Sequence, residues 1–149
     1  MDALIIKNFK CFLSSGEVPL KPITLLVGEN STGKSSFLAA IRLAWDLAFS
    51  ARRVDFNEEP FLLGAFDQIA HFRGGRAGRA ETFEIGFTSR LRRRRAMRSE
   101  LPPQLPIYYG VEFRRAGSHP VIQKQVLKCG AYQFTAEFLE DDQRAKVEI

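Results

Sequence analysis

Apolar and polar residues follow a readable period along most of the chain. Ala3-Leu4-Ile5-Ile6-Lys7-Asn8-Phe9 is apolar and β-branched, and predicts a first strand. Phe9-Lys10-Cys11-Phe12 and a polar turn at Ser14-Ser15-Gly16 follow. Glu17-Val18-Pro19-Leu20 then predicts a short return strand, ended by Lys21-Pro22. Ile23-Thr24-Leu25-Leu26-Val27 is a second apolar run. It predicts a strand buried within a parallel sheet. Beyond it, Phe37, Ile41, Ala44, Trp45, Ala48 and Phe49 recur at helical spacing. They predict a helix from about Lys34 to Ser50, with Arg42 and Asp46 off the apolar stripe and Trp45 packed in the core.

The second half changes period. Thr82-Phe83-Glu84-Ile85-Gly86-Phe87-Thr88 alternates, and so does Ile107 to Arg114. Val121 to Lys128 and Ala131 to Leu139 flank Cys129-Gly130 and predict a hairpin. In its second arm Tyr132, Phe134, Ala136 and Phe138 share a face. Arg144 to Ile149 begins another strand. The expected fold class is α/β: a parallel strand and helix, then an antiparallel β-lobe. The expected parts are residues 1–50, a connection over 51–80, and a β-lobe over 81–149 with a basic loop at 89–106. The chain shows no internal repeat.

Between the second apolar run and the helix lies Gly28-Glu29-Asn30-Ser31-Thr32-Gly33-Lys34-Ser35. It fits G-x-x-x-x-G-K-[ST], the phosphate-binding P-loop. Gly28 and Gly33 permit backbone angles that turn successive N–H groups toward phosphate oxygens. Lys34 brings a charge to the β/γ-phosphates, and the Ser35 hydroxyl is a hard ligand for Mg²⁺. The helix N-terminus adds its dipole. Strand, loop and helix in that order is the context the motif requires; the other reading is a Gly-rich turn that binds nothing.

Charge sharpens this picture. The net charge is +5. Residues 1–75 balance, with eight basic and eight acidic side chains, whereas residues 76–149 carry fourteen basic and nine acidic. Much of the excess is Arg90, Arg92, Arg93, Arg94, Arg95 and Arg98. Two readings stand for this run: salt-dependent contact with nucleic-acid phosphates, or a solvated loop. No run approaches membrane-span length, and no signal-peptide pattern opens the chain. Cys11 and Cys129 match no metal-ligand spacing, and are expected as reduced core residues of a cytoplasmic protein.

The opening Leu4 to Phe12, followed by Pro22 to Leu38 with the P-loop inside it, resembles the N-terminal part of ABC-type ATPase heads. The nearest likeness is to the SMC/RecF class and to OLD-family and related AAA-type ATPases of phage defence. It covers roughly the first quarter of the chain. Ser31 stands where many relatives have Gly. The resemblance implies that Gly28, Glu29, Asn30, Ser31, Thr32, Gly33, Lys34, Ser35 and Ser36 cradle ATP, with Mg²⁺ on Ser35. Lys10 matches a basic residue that approaches the phosphates, or is a solvated lysine on a turn. Gln68 is the candidate γ-phosphate and Mg²⁺ sensor, with Asp67 behind it; the alternative is a surface polar residue. His71, without a partner in sequence, reads as structural.

Other parts of such heads are missing from the sequence. There is no apolar run ending in Asp-Glu and no Leu-Ser-Gly-Gly signature. Without them Mg²⁺ lacks a carboxylate and the attacking water lacks its base. The favoured account is the N-terminal piece of a longer ATPase. The other is a small protein that binds nucleotide and hydrolyses it poorly. Expected partners are a second head or C-terminal half, DNA through the Arg run, and an effector nuclease whose identity the residues do not give. A non-catalytic regulatory module and a transporter-cassette fragment are the competing functional classes.

Overall fold

The structure is a computed structural model that describes residues 1–50, 54–75, 78–92, 104–138 and 145–148. Among the described residues the strands are β1 (Ala3–Phe9), β2 (Phe12–Pro19), β3 (Thr82–Arg92), β4 (Gln104–Ala116), β5 (His119–Cys129), β6 (Tyr132–Phe138) and β7 (Ala145–Glu148). Helix α1 spans Lys34–Phe49, and a single turn, α2, spans Phe66–Ile69. The strands form one sheet in the order β2-β1-β3-β4-β5-β6-β7, and every pairing is antiparallel. The β-lobe meander is therefore present, and β1 has the expected bounds.

Alternation decides the faces. Leu4 and Ile6 of β1, Phe83 and Ile85 of β3, and Val111 and Phe113 of β4 are buried on one side. Phe37, Ala40, Leu43 and Ala44 of α1 belong to the same core. Phe83 is its centre: its ring lies 5.7 Å from Phe9, 5.8 Å from Phe56, 5.6 Å from Phe66 and 5.1 Å from Phe113, centroid to centroid. The other face is polar. Lys7 Nζ donates to Glu84 at 2.9 Å, Tyr108 Oη donates to the same carboxylate at 2.5 Å, and Thr82 Oγ1 donates to Glu112 at 2.6 Å.

β2 is longer than the predicted return strand. Its register against β1 shifts between Ile5 and Lys7, where the Ser15 hydroxyl accepts the Ile6 N–H at 2.9 Å in place of a ladder carbonyl. The expected loop at 89–106 shortens likewise, because β3 runs on to Arg92 and β4 starts at Gln104.

Three expectations change. Ile23–Val27 pairs with no strand among the described residues, so the parallel strand is not formed, and Ile23, Leu25 and Val27 are 83%, 83% and 92% exposed. Trp45 is not core. It is 58% exposed and packs on Phe49, ring centroids 4.5 Å apart, because the outer side of α1 has no covering element among the described residues. Cys11 is exposed rather than buried, and Cys129 is half-buried.

Candidate functional site

The P-loop sequence forms a loop that runs into α1. Gly33 caps the helix in the left-handed region at φ 97°. A Cβ there would collide with the Cys11 sulfur and lie 3.2 Å from the Phe12 ring, so glycine lets the loop lie against the β1–β2 turn. Ser31 also has positive φ, 66°. That conformation costs a side-chain-bearing residue about 1–2 kcal/mol, which is a physical reason for Gly at this position in similar loops.

Helix α1 begins with no side-chain cap and no acidic residue in its first turn. Its leading N–H donors are left for another acceptor, and its dipole favours an anion. Lys34 Nζ donates to the carbonyls of Gly28 at 2.9 Å and Glu29 at 2.5 Å. Thr32 Oγ1 donates to Glu29 O at 2.8 Å. Gly28, Glu29 and Thr32 thus hold the shape of the loop, while Asn30, Ser31, Gly33, Lys34, Ser35 and Ser36 line a cavity.

A second wall comes from residues far away in sequence. Asn8 and Lys10 have φ of 52° and 51°, which turn the end of β1 toward Ile69–His71. Lys10 N donates to Ile69 O at 2.6 Å, and His71 N donates to Asn8 O at 2.8 Å. His71 Nδ1 donates to the Lys10 carbonyl at 2.8 Å, so this histidine has a structural partner. The chain then folds back on itself: Arg73 N donates to Gly78 O at 2.8 Å and Ala80 N to His71 O at 2.9 Å. That return brings Arg79 beside Phe72, its guanidinium carbon 5.3 Å from the ring centroid, and Arg79 Nη1 donates to Ala70 O at 3.1 Å.

The two walls bound an open cavity of about 570 Å³, within the usual range for ligand sites. Lys10, Gln68, His71, Phe72 and Arg79 line its second wall. Lys10 Nζ donates to Leu63 O at 2.9 Å. Burial, and then the Arg79 charge, hold its pKa below the ordinary lysine value. Gln68 Oε1 accepts the Ala65 N–H at 3.0 Å, closing the first turn of α2. Asp67 pairs instead with Arg115 and does not line the cavity.

The lining is chemically one-sided. It holds Lys10, Lys34 and Arg79 and, among the described residues, no carboxylate. A polyanion fits this donor set. A divalent cation would find the Ser35 hydroxyl and the Gln68 amide, but no group of three or more His, Cys, Asp or Glu occurs among the described residues.

Residues 1–72 match the AAA ATPase domain family. The AAA ATPase match takes in β1, β2, the P-loop, α1 and α2, just under half of the chain. No curated protein matches. A solved structure from work on the structural biochemistry of ATP-driven dimerization and DNA-stimulated activation of SMC ATPases is similar at 16% identity and a TM-score of 0.42. The likeness covers 80% of this chain and 70% of that one. No helix among the described residues is long and apolar enough to cross a membrane.

Of the expected site residues, Lys10, Gln68 and the six named P-loop and helix residues meet at one cavity. Cys11, Phe72 and Arg79 line it too and were not singled out by motif. The only sequence signal for Arg79 was its place in the basic, Gly-rich stretch after the α2 region. Arg90 is exposed near the end of β3, away from the cavity lining. Arg92 is described for its backbone alone, and Arg93, Arg94, Arg95 and Arg98 lie outside the described residues.

Proposed function

We propose that this chain is the ATP-binding N-terminal part of an SMC/RecF/OLD-like ATPase that acts on DNA in repair or anti-phage defence. Hydrolysis requires a C-terminal half or a partner chain. The observation that carries the reading is the cationic cavity, free of carboxylates among the described residues, at the start of α1, where no side chain caps the helix; Asn30, Ser31, Gly33, Lys34, Ser35 and Ser36 of a P-loop sequence line it. Here Lys34 leaves its loop carbonyls for the β/γ-phosphates, and the backbone of Gly28 to Gly33 cradles the chain of phosphates. Ser35 and Gln68 would hold Mg²⁺, which would supply neutralisation of the phosphate charge. Gln68 senses the terminal phosphate, and Lys10 approaches it from the second wall.

Two features support the reading that a second half is needed. Among the described residues the cavity lining offers no carboxylate to act as a base or to complete a metal site. Ile23, Leu25 and Val27 present an unpaired apolar edge beside the P-loop, which suits added strands from the remainder of an ATPase head. The same lack of a carboxylate favours, as a second reading, a regulatory module that binds nucleotide without turning it over.

The test is MgATP binding and hydrolysis by the 149-residue chain beside Lys34→Ala. The expected result is binding that the variant loses, with no turnover by the chain alone. Turnover abolished by the substitution would overturn the need for a partner. Absence of binding by the unaltered chain would reject the nucleotide reading.

A further inference from the structure

The cavity has more positive charge than the P-loop motif calls for. Arg79 sits on the wall away from the loop, held by its Ala70 bond and by the Phe72 ring. Among the described residues it has no carboxylate partner, a feature it shares with Arg73, Arg90 and Arg114, but of these four it alone lines the cavity. Its charge acts on Lys10, which is already half-buried, so two cations are kept close together at a cost to the folded chain. A guanidinium carries five N–H donors, and the Ala70 carbonyl takes one of them. Planar, forked donors of this kind suit phosphate oxygens.

We propose that Arg79 is a third phosphate-contacting cation of this cavity, closing on the nucleotide polyphosphate from the wall opposite Lys34. The assignment rests on the ATP-binding reading and deepens it. Arg79 does not belong to the P-loop, and it reaches the site because His71, bonded to the end of β1, and Arg73 are joined in turn to Ala80 and Gly78. With a polyphosphate between the walls, the repulsion between Lys10 and Arg79 becomes shared attraction for one anion. Nucleotides with more phosphates gain more from it.

The experiment measures equilibrium binding of ATP, ADP and AMP to the full chain and to Arg79→Gln, Arg79→Lys and Lys34→Ala, over a range of salt. Arg79→Gln can still donate to the Ala70 carbonyl but has no charge, so it separates phosphate contact from support of the wall. Loss of a charge-assisted contact predicts that Arg79→Gln weakens ATP about tenfold to a hundredfold, weakens AMP least, and flattens the salt dependence. Arg79→Lys should recover part of the loss. ATP binding by Arg79→Gln equal to the unaltered chain, while Lys34→Ala fails to bind, would overturn the assignment and leave the ATP reading intact. No ATP binding by the unaltered chain would overturn both. An equal loss for ATP, ADP and AMP with unchanged salt slope would make Arg79 a support of the wall and overturn the proposed contact.

Discussion

Two apolar runs of similar composition end in opposite environments. Ala3 to Ile6 lies in β1, flanked by β2 and β3, and Leu4 and Ile6 are fully buried. Ile23 to Val27 has the same apolar, β-branched character, yet it joins no ladder among the described residues and three of its side chains face solvent. Only Leu26 packs against the core. The difference shows what makes a strand: not the residues alone, but neighbours that take its N–H and C=O groups and cover its face. β1 has both. Among the described residues the run before the P-loop has no partner strand and only Leu26 covered.

The largest expected effect tests the buried side of this comparison. Phe83→Ala removes a ring that touches four others and should cost about 3–5 kcal/mol in denaturant unfolding. Val27→Ala, on the exposed run, should stay within about 0.5 kcal/mol. Similar costs for the two would break the contrast.

A smaller effect is expected where the exposed run enters the P-loop. Gly33→Ala places a Cβ against the Cys11 sulfur in a left-handed conformation. It should destabilise the chain by about 1–3 kcal/mol and weaken ATP binding, read by unfolding and by titration. A neutral result would mean that the loop does not need its close seat on the β1–β2 turn.

The smallest effect concerns the end of β1. Burial, and secondarily Arg79, lower the Lys10 pKa in the folded chain below 10.5. Between that lowered value and 10.5 the unfolded chain binds more protons, so stability rises with pH across this window. Below the window the cost of the buried charge is present in full. Lys10→Met removes this rise, so its stability advantage over the unaltered chain should shrink as pH climbs toward 10.5. Tyr108, whose pKa burial and Glu84 push up, is common to both chains and cancels in the difference. A difference flat with pH would mean that Lys10 is as solvated as the exposed run.

Much of the fold was legible in sequence because a strand with one dry face must alternate. β3 and β4 carry their inward apolar residues, Phe83, Ile85 and Phe87, and Val111 and Phe113, at every second position, and both extend past the predicted bounds because pairing continues beyond the apolar pattern. Helix α1 was legible from its period, but Trp45 was misplaced: periodicity marks an apolar side and does not say what covers it. The P-loop half of the cavity is contiguous in sequence and could be read as a motif. Arg79 and Phe72 could not, since their meeting with Lys34 depends on backbone bonds that tie Ile69 and His71 to the end of β1 and His71 and Arg73 to Ala80 and Gly78.

The order of residues by itself therefore determined the local conformations: which runs alternate, where glycine permits the turn at Gly33, and where a lysine and two hydroxyls follow it. Tertiary structure alone decided which apolar run became a strand and which cations share one cavity. The physical reason is range. Backbone sterics and side-chain period act over a few neighbouring residues, whereas burial, sheet pairing and the gathering of like charges are set by segments that the chain brings together from tens of residues apart.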